Sequence, residues 1–514
     1  MKKYFINNIK FQFSHISFCI LYSTSLYIVC NAVNINKTAK WFYLKNEFSY
    51  IGISAFYIAG LCLFIAIFTI FAHRWTVKPL AIIIILLSGA SAYFISKYNV
   101  AIDHHMIKNA INTDTTEVRG LLSTQMIPYF LFLIVLPITA ISFVQITFAG
   151  PAKYLIRSVT LFILALFIAI GLLYAQFNPI HRAANMSKKY IFHQLIPLNH
   201  ITSIINIVQN YVKTYLPEKE KKNIKVSAHT LTEDNLVVVL AIGESARQKN
   251  FSLYGYTRKN TNPILSKDEN LHMLNGVATF GSTLYALPEI LVKQDVPLPT
   301  VTSKAGINTA CYVHFSLYDN CGTVEQIKVS NCGHDGRCYD EDVLPLLSDN
   351  IQSYDSGYRF IVLHLGGGSH GPNYQKRIPK EFQRFHPMCL DADVVNQCTV
   401  DELYNSYDNT ILYTDYVLGK IINRLDSSGV PYVFIYVSDH GESLMENDRV
   451  FHGMPPGISL PPEQKYVPLI VKSSIPLSII ERQEYRQQDV YDTILDLLSI
   501  ESNVTNKDRS FLKK

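Results

Sequence analysis

Tyr432-Val433-Phe434-Ile435-Tyr436-Val437 runs directly into Ser438-Asp439-His440-Gly441. Six consecutive apolar residues, rich in β-branched and aromatic side chains and followed by a glycine turn, read as a buried strand. A carboxylate and an imidazole therefore emerge together at its end, where parallel α/β sheets hold their ligands. A second run, Leu236 to Ile242, ends in Gly243-Glu244-Ser245-Ala246-Arg247. The two strands are expected to deliver Glu244, Asp439 and His440 to one sheet edge. Mixed carboxylate and imidazole ligands suit zinc, or else manganese. An isolated Asp-His pair reads more readily as a strand-end turn or a capping acid than as a metal site; two such motifs in one chain reverse that preference.

From residue 235 onward, strand-like runs at Leu236–Ile242, Phe360–Leu365, Tyr432–Val437 and Val467–Val471 alternate with helical patterns. That alternation predicts an α/β/α sandwich, a parallel sheet covered by helices on both faces. The stretch Tyr404 to Leu425 carries a helical apolar stripe and leads into the Asp439 strand through Ser427-Ser428-Gly429. Its Tyr407-Asp408-Asn409 is expected to be structural.

At 514 residues the chain is too long for one core, and its 48% hydrophobic content is unevenly spread. Residues 1–177 are expected to form a membrane domain of five transmembrane helices, in apolar windows near 12–34, 50–72, 79–98, 127–149 and 155–177. Each approaches the roughly 20 residues needed to cross a bilayer. The first carries Ser14, His15, Ser23 and Ser25, but no small-residue cleavage site follows it, so it reads as a span. Residues 178–234 read as interfacial helix and linker, with Leu198, Ile201, Ile205 and Val208 forming an amphipathic stripe before the polar segment 217–234; a plain solvated linker is the alternative there. Residues 235–514 are then a globular domain.

An odd number of spans puts the two ends of the membrane domain on opposite sides. Lys2, Lys3, Lys10, Arg74, Lys78, Lys153 and Arg157 favour a cytoplasmic amino terminus, while Lys37, Lys40 and Lys45 weigh against it. Cysteines decide the question. Cys19, Cys30 and Cys62 sit in apolar windows, whereas Cys311 with Cys321, Cys332 with Cys338 and Cys389 with Cys398 read as local disulfides of an oxidising compartment. None of these pairs has the tight spacing of a zinc ribbon. A net charge of +5 gives no ground for a nucleic-acid partner.

A metal at this edge needs a nucleophile, and several hydroxyls compete. Gly243-Glu244-Ser245 has the look of a nucleophile elbow, and His364-Leu365-Gly366-Gly367-Gly368 that of an esterase oxyanion loop. Arg247, however, stands where an elbow needs its second glycine, and neighbours on one strand such as Asp439 and His440 face opposite sides and cannot form a relay.

Taken in order, Gly243-Glu244-Ser245-Ala246-Arg247, Asn250-Phe251-Ser252-Leu253-Tyr254-Gly255-Tyr256, Ser369-His370-Gly371-Pro372, Ser438-Asp439-His440-Gly441-Glu442-Ser443 and His452-Gly453-Met454-Pro455 resemble the bacterial phosphoethanolamine transferases. The resemblance is nearest to the lipid A enzymes, the group that includes the mobile colistin-resistance proteins, and runs over nearly the whole chain. It implies an alkaline-phosphatase-like periplasmic domain on a multi-pass inner-membrane anchor. It also implies zinc held by Glu244, Thr283, Asp439 and His440, with Thr283 as nucleophile. The family's Cys-Gly-Thr-x-Thr run reads Thr279-Phe280-Gly281-Ser282-Thr283 here, so Thr283 is placed by its separation from Glu244 and Pro288, and Ser282 is the second choice. Thr279 and Glu289 or Ile290 replace a family cystine, which leaves the nucleophile turn to be held by packing alone.

The resemblance further implies that His370 and His452 contact the transferred group or a second zinc. It places Asn109, Thr113 and Glu117, on one helix face, near the lipid donor, where Glu117 would attract an ammonium group or else simply be solvated. Lys376 and Glu442 are candidates for substrate contact. A rim lysine found in some relatives has no counterpart after Cys321. The expected reaction moves phosphoethanolamine from phosphatidylethanolamine to lipid A or lipopolysaccharide through a phosphoethanolaminyl-threonine, giving resistance to polymyxin and other cationic peptides, with the protein a monomer. Core sugar or another periplasmic glycan is the alternative acceptor, and glycerophosphate transfer, sulfatase-type hydrolysis and a non-catalytic binding module are the competing activities. No modified-nucleophile motif of a sulfatase is present.

Overall fold

The computed structural model describes residues 11–32, 34–44, 47–98, 100, 102–103, 106–107, 124–187, 190–215, 226–314, 316–330, 332, 338–369, 371–391, 393–454 and 459–513. The chain divides into two compact units, Met1–Glu218 and Lys219–Lys514.

Hydropathy builds the first unit. Among the described residues, four helices are long and apolar enough to cross a membrane: α1 (His15–Ala32), α2 (Tyr50–Phe71), α3 (Val77–Tyr98) and α5 (Pro151–Ala175). The fifth expected span is shorter. It forms α4 (Met126–Ser142), with a π-turn at Leu131–Val135. The windows 12–34 and 127–149 are both clipped for one reason. Phe11–Ser14 (β1) and Val144–Thr147 (β2) pair as parallel strands, so the first segment becomes helical only at His15 and the other stops being helical at Ser142. Beyond α5 follow α6 (Phe177–Met186) and α7 (Leu198–Tyr215), the latter exposing Ile204, Ile205, Ile207 and Val208.

Period-2 and continuous apolar runs build the second unit around an eight-stranded sheet. Its strands are β3 (Leu236–Gly243), β4 (His272–Val277), β5 (Asn308–Val313), β6 (Gln326–Lys328), β7 (Tyr358–His364), β8 (Tyr432–Ser438), β9 (Tyr466–Ser473) and β10 (Tyr485–Arg486), in the order β6-β5-β7-β3-β8-β9-β4-β10. The five strands from β6 to β8 are parallel. Contrary to the all-parallel expectation, β9 runs antiparallel to β8. Among the described residues between Ser438 and Tyr466 there are turns, the short strands Ser443–Leu444 and Val450–Phe451 and the four-residue helix Pro462–Lys465, with no crossover helix to bring the chain back parallel.

Every residue of β3, β7 and β8 is buried, as strands covered on both faces require. The cover includes α8 (Thr283–Leu291), α9 (Leu298–Lys304), α10 (Val400–Ser428) and α11 (Gln487–Leu497). Thr399 and Glu402 close a capping box at the start of α10, and Gly429 in the left-handed region stops it before β8. The three expected disulfides are formed, Cys311–Cys321, Cys332–Cys338 and Cys389–Cys398, while Cys19, Cys30 and Cys62 are free thiols.

Candidate active site

The last paired residues of the two central strands, Gly243 and Ser438, lie side by side, and the Asp439 N–H donates to the Gly243 carbonyl at 2.9 Å. Whatever follows them starts from one point on the sheet edge. Ser245 then turns the chain sharply with φ +58°. Its N–H donates to Asp439 Oδ1 at 2.9 Å, its hydroxyl to Glu244 Oε1 at 2.7 Å, and its carbonyl accepts the Tyr407 hydroxyl at 2.7 Å. Strain in a non-glycine residue is thus spent on aiming two carboxylates. Gly367, with φ +74°, lies so close that a Cβ there would overlap the Glu244 side chain.

His440 completes the set. Its Nδ1 lies 3.0 Å from the Gly441 carbonyl, which can only accept, so Nδ1 carries the proton and Nε2 turns a lone pair inward. That nitrogen is 3.2 Å from Asp439 Oδ2 and 3.6 Å from Glu244 Oε1. Asp439 Oδ2 is buried without a hydrogen-bond donor. Burial pushes the Asp439 carboxyl up to about 7, the Glu244 carboxylate pushes it the same way, and His440 and backbone N–H groups oppose the shift. Electron pairs that converge out of water call for positive charge. Carboxylate and imidazole atoms of Glu244, His440 and His452 also lie within 4.8 Å of one another. The donor set fits a divalent cation.

Thr283 opens α8, and its Oγ1 donates to Glu244 Oε2 at 2.9 Å and lies 3.4 Å from His440 Nε2. It is partly exposed, whereas Ser245 and Ser282 are buried. Of the three competing hydroxyls, Thr283 alone combines access with contact to the acid and imidazole cluster. The first-turn N–H groups of a helix also favour negative charge at this position.

A second ring of residues fixes the first. The His452 ring sits 4.4 Å from that of His440, and its Nδ1 is 3.9 Å from Glu442 Oε2. Glu442 is fully buried and accepts the Gly371 N–H and the Tyr374 hydroxyl, each at 3.1 Å, which ties the loop after Ser369 to the one after His440. Arg247, also fully buried, donates to Glu446 Oε1 at 2.7 Å, Asn250 Oδ1 at 2.6 Å and the Glu442 carbonyl at 3.1 Å. Its guanidinium lies over the rings of Tyr404 and Tyr407. Asp408 in turn accepts from Asn250, Tyr256 and Arg258, so the Asn250–Tyr256 motif is scaffold for the site.

Glu244, Thr283, Asp439, His440 and His452 come together. Lys376 has an exposed side chain on the turn Tyr374–Lys376. His370, Asn109, Thr113 and Glu117 lie outside the described residues. The turn that leads into Thr283 is held by more than packing. Gly453 N–H donates to the Gly281 carbonyl at 2.7 Å, and the Gln488 amide hydrogen-bonds Glu289 across to α11. Sequence reading missed Gln487, whose buried amide donates to the carbonyls of Ser438 and Asp439 at 2.7 and 2.5 Å, and Asp340, which accepts the Gly366 N–H at 2.5 Å. A glutamine at a helix start and an acid in a polar run carry no signal of their own.

The sheet and the cluster at its edge define a sulfatase-type α/β domain: a family model described as Sulfatase matches residues 236–500, and one described as Phosphoethanolamine transferase EptA/EptB matches residues 60–212. Phosphoethanolamine transferase EptA of Helicobacter pylori is 33% identical over 477 residues, spanning 87% of this chain and 86% of that protein. Phosphatidylethanolamine transferase Mcr-1 of Escherichia coli is 28% identical over 433 residues, spanning 77% and 78% respectively. Among solved structures, the integral membrane protein lipooligosaccharide phosphoethanolamine transferase A (EptA) from Neisseria meningitidis shares the fold, with a TM-score of 0.85, 23% identity, and coverage of 97% of this chain and 98% of that one. The chain belongs to the EptA family of phosphoethanolamine transferases.

Proposed function

We propose that this protein transfers phosphoethanolamine from phosphatidylethanolamine to a phosphate of lipid A, with Thr283 as the first acceptor of the group. The observation that carries the reading is the partly exposed Thr283 hydroxyl, hydrogen-bonded to Glu244 at 2.9 Å and 3.4 Å from His440 Nε2. The motif resemblance to lipid A enzymes supports the acceptor, and core sugar is the alternative.

A divalent cation held by Glu244, Thr283, Asp439 and His440, zinc by its donor set, supplies charge that lowers a hydroxyl pKa and offsets charge on a phosphoryl group. A second zinc near His370 and His452 fits the same chemistry. Glu244 Oε2 orients Thr283 Oγ1 and is the nearest acceptor of its proton. As the Oγ1–phosphorus bond forms, the bond from phosphorus to the diacylglycerol oxygen breaks, and that oxygen leaves with a proton from His452 or His370. Glu442 keeps His452 facing the site. In the second displacement a lipid A phosphate oxygen attacks the same phosphorus, and Thr283 Oγ1 departs and regains its proton. Two displacements through one enzyme side chain give ping-pong kinetics.

The protein works as a monomer in the bacterial inner membrane, with the sheet unit in the periplasm. The three disulfides of that unit support an oxidising compartment. Mass spectrometry of envelope glycolipids from cells with and without the gene tests the reading. The expected result is a phosphoethanolamine mass gain on lipid A phosphate together with increased polymyxin resistance. A gain confined to core sugar moves the acceptor, and no gain on any glycolipid overturns the transfer.

A further inference from the structure

The end of the helical unit where α2 finishes and α3 begins holds a feature that the transfer reaction does not use. Tyr154 donates to the Ala72 carbonyl, His15 packs its ring 5.2 Å from Phe148, and β1 pairs with β2, so residues 11–15, 71–78 and 142–154 gather at one end. The opposite end holds Asn31 against Ile196, on the stretch that leads into α7 and toward the sheet unit.

Two cavities meet at this end. One, of about 390 Å³, is lined by Arg74, Lys78, Ser142 and Gln145 together with Val77 and Val144. The other, of about 370 Å³, is almost wholly apolar and runs between α1 and α4, from Phe13 and Val144 to Val29 and Phe132. Val144 is a wall of both. Each volume falls in the range of about 300–1,000 Å³ typical of ligand sites.

The charge balance here is one-sided. Segments 11–15, 71–78 and 142–158 contain Arg74, Lys78, Lys153 and Arg157 and no aspartate or glutamate. Among the described residues, neither Arg74 nor Lys78 forms a salt bridge; Arg74 instead lies 5.1 Å from the ring of Trp75, itself highly exposed as residues at a membrane interface are. The apolar cavity is shaped deliberately as well. The π-turn of α4 contributes Phe132 and Leu133 to its wall, and Gly89 of α3 leaves room for Ile134 of the same turn, where a Cβ would collide. π-Turns of this kind recur at functional sites.

We propose that this end of the helical unit is a binding site for an anionic phospholipid, its phosphodiester headgroup between Arg74 and Lys78 and one acyl chain in the groove between α1 and α4. A basic pocket against an apolar groove is the complement of a charged headgroup on a hydrocarbon tail, and neither half alone selects such a molecule. A zwitterionic lipid would bring an ammonium into a pocket that already holds two cations. The proposed ligand therefore differs in headgroup charge from the zwitterionic phosphatidylethanolamine that the transfer reaction uses. The site rests on the membrane unit alone, so its failure leaves the transferase reading untouched.

Native mass spectrometry of the full-length protein, equilibrated in detergent with equal phosphatidylglycerol and phosphatidylcholine of matched chains, reads the preference directly. A retained phosphatidylglycerol adduct favoured by about tenfold is expected from two cations near the headgroup. Arg74→Gln with Lys78→Gln should abolish the preference while lipid of either type still binds, and Ala140→Trp, which fills the groove, should lower retention of both. Free glycerophosphate should not compete if the acyl chain is part of the ligand. Wild-type melting temperatures measured without added lipid confirm that the variants fold; a variant that fails this check is replaced by the single change Arg74→Gln or Lys78→Gln, in which the preference should fall, or by Ala140→Leu. No preference in the wild type, or an unchanged preference in the double glutamine variant, overturns the proposal.

Discussion

In the helical unit buried polar groups are scattered, and several are answered by backbone carbonyls. Tyr22 donates to the Ala81 carbonyl at 2.9 Å, Thr69 to Ile65 at 2.7 Å and Asn31 to Tyr27 at 2.8 Å. In the sheet unit they gather at one strand edge and answer one another: Glu244, Thr283, Asp439 and His440 in the centre, with Glu442, Arg247 and Glu446 around them. A polar group surrounded by hydrocarbon costs least when satisfied on the spot. A catalytic edge does the opposite, leaving charge incompletely answered so that a cation or substrate is needed to complete it. The contrast separates polar groups that hold a fold from those that perform chemistry.

The largest effect should come from the centre. Thr283→Ala is expected to lower transfer by about a thousandfold or more with the fold retained, measured as turnover of labelled phosphatidylethanolamine; near-normal turnover would shift attention to Ser282. Removing a carboxylate instead should act on the metal. Asp439→Ala or Glu244→Ala should drop zinc content in elemental analysis of the purified protein to a small fraction of the wild-type stoichiometry, and full occupancy would refute the ligand set.

One shell out, the expected cost passes from chemistry to stability. Arg247→Met takes the guanidinium away from Glu446, which keeps only the Tyr404 hydroxyl and the Leu444 N–H as hydrogen-bond donors, and from the Glu442 carbonyl. It should destabilise the protein by about 3 kcal/mol, read by denaturant or thermal unfolding, in line with breaking one side of a buried ion pair. Smallest is the membrane counterpart. Asn31→Leu, which loses hydrogen bonds to Tyr27 and Ile196, should cost only about 1 kcal/mol and leave transfer intact. A larger loss than for Arg247→Met would erase the distinction between the two units.

How much could be read beforehand follows the same division. Leu236–Ile242 and Tyr432–Val437 announce themselves because a strand buried on both faces must be apolar throughout, and the first charged residues after them are Glu244 and Asp439. Thr283 has no such flag. It sits in an ordinary helix start and is found through family resemblance alone, and only its partial exposure together with its contacts to both Glu244 and His440 shows why that hydroxyl differs from Ser245 and Ser282. The strand His272–Val277 escaped because half of it faces solvent, and the antiparallel β9 because direction is set by the connection and leaves no mark in a strand's own residues. Hydropathy windows ran past the helix ends at Phe11–Ser14 and Val144–Thr147 since an apolar strand pair near a membrane has the same composition as a helix.

The most direct test incubates the purified full-length protein with phosphatidylethanolamine labelled in its headgroup, without acceptor, and maps the label by peptide mass spectrometry. A phosphoethanolamine adduct on the peptide carrying Thr283, absent from Thr283→Ala, is the expected result. Label on any other residue, or an undiminished adduct in the alanine variant, would contradict the assignment of Thr283 as the attacking group.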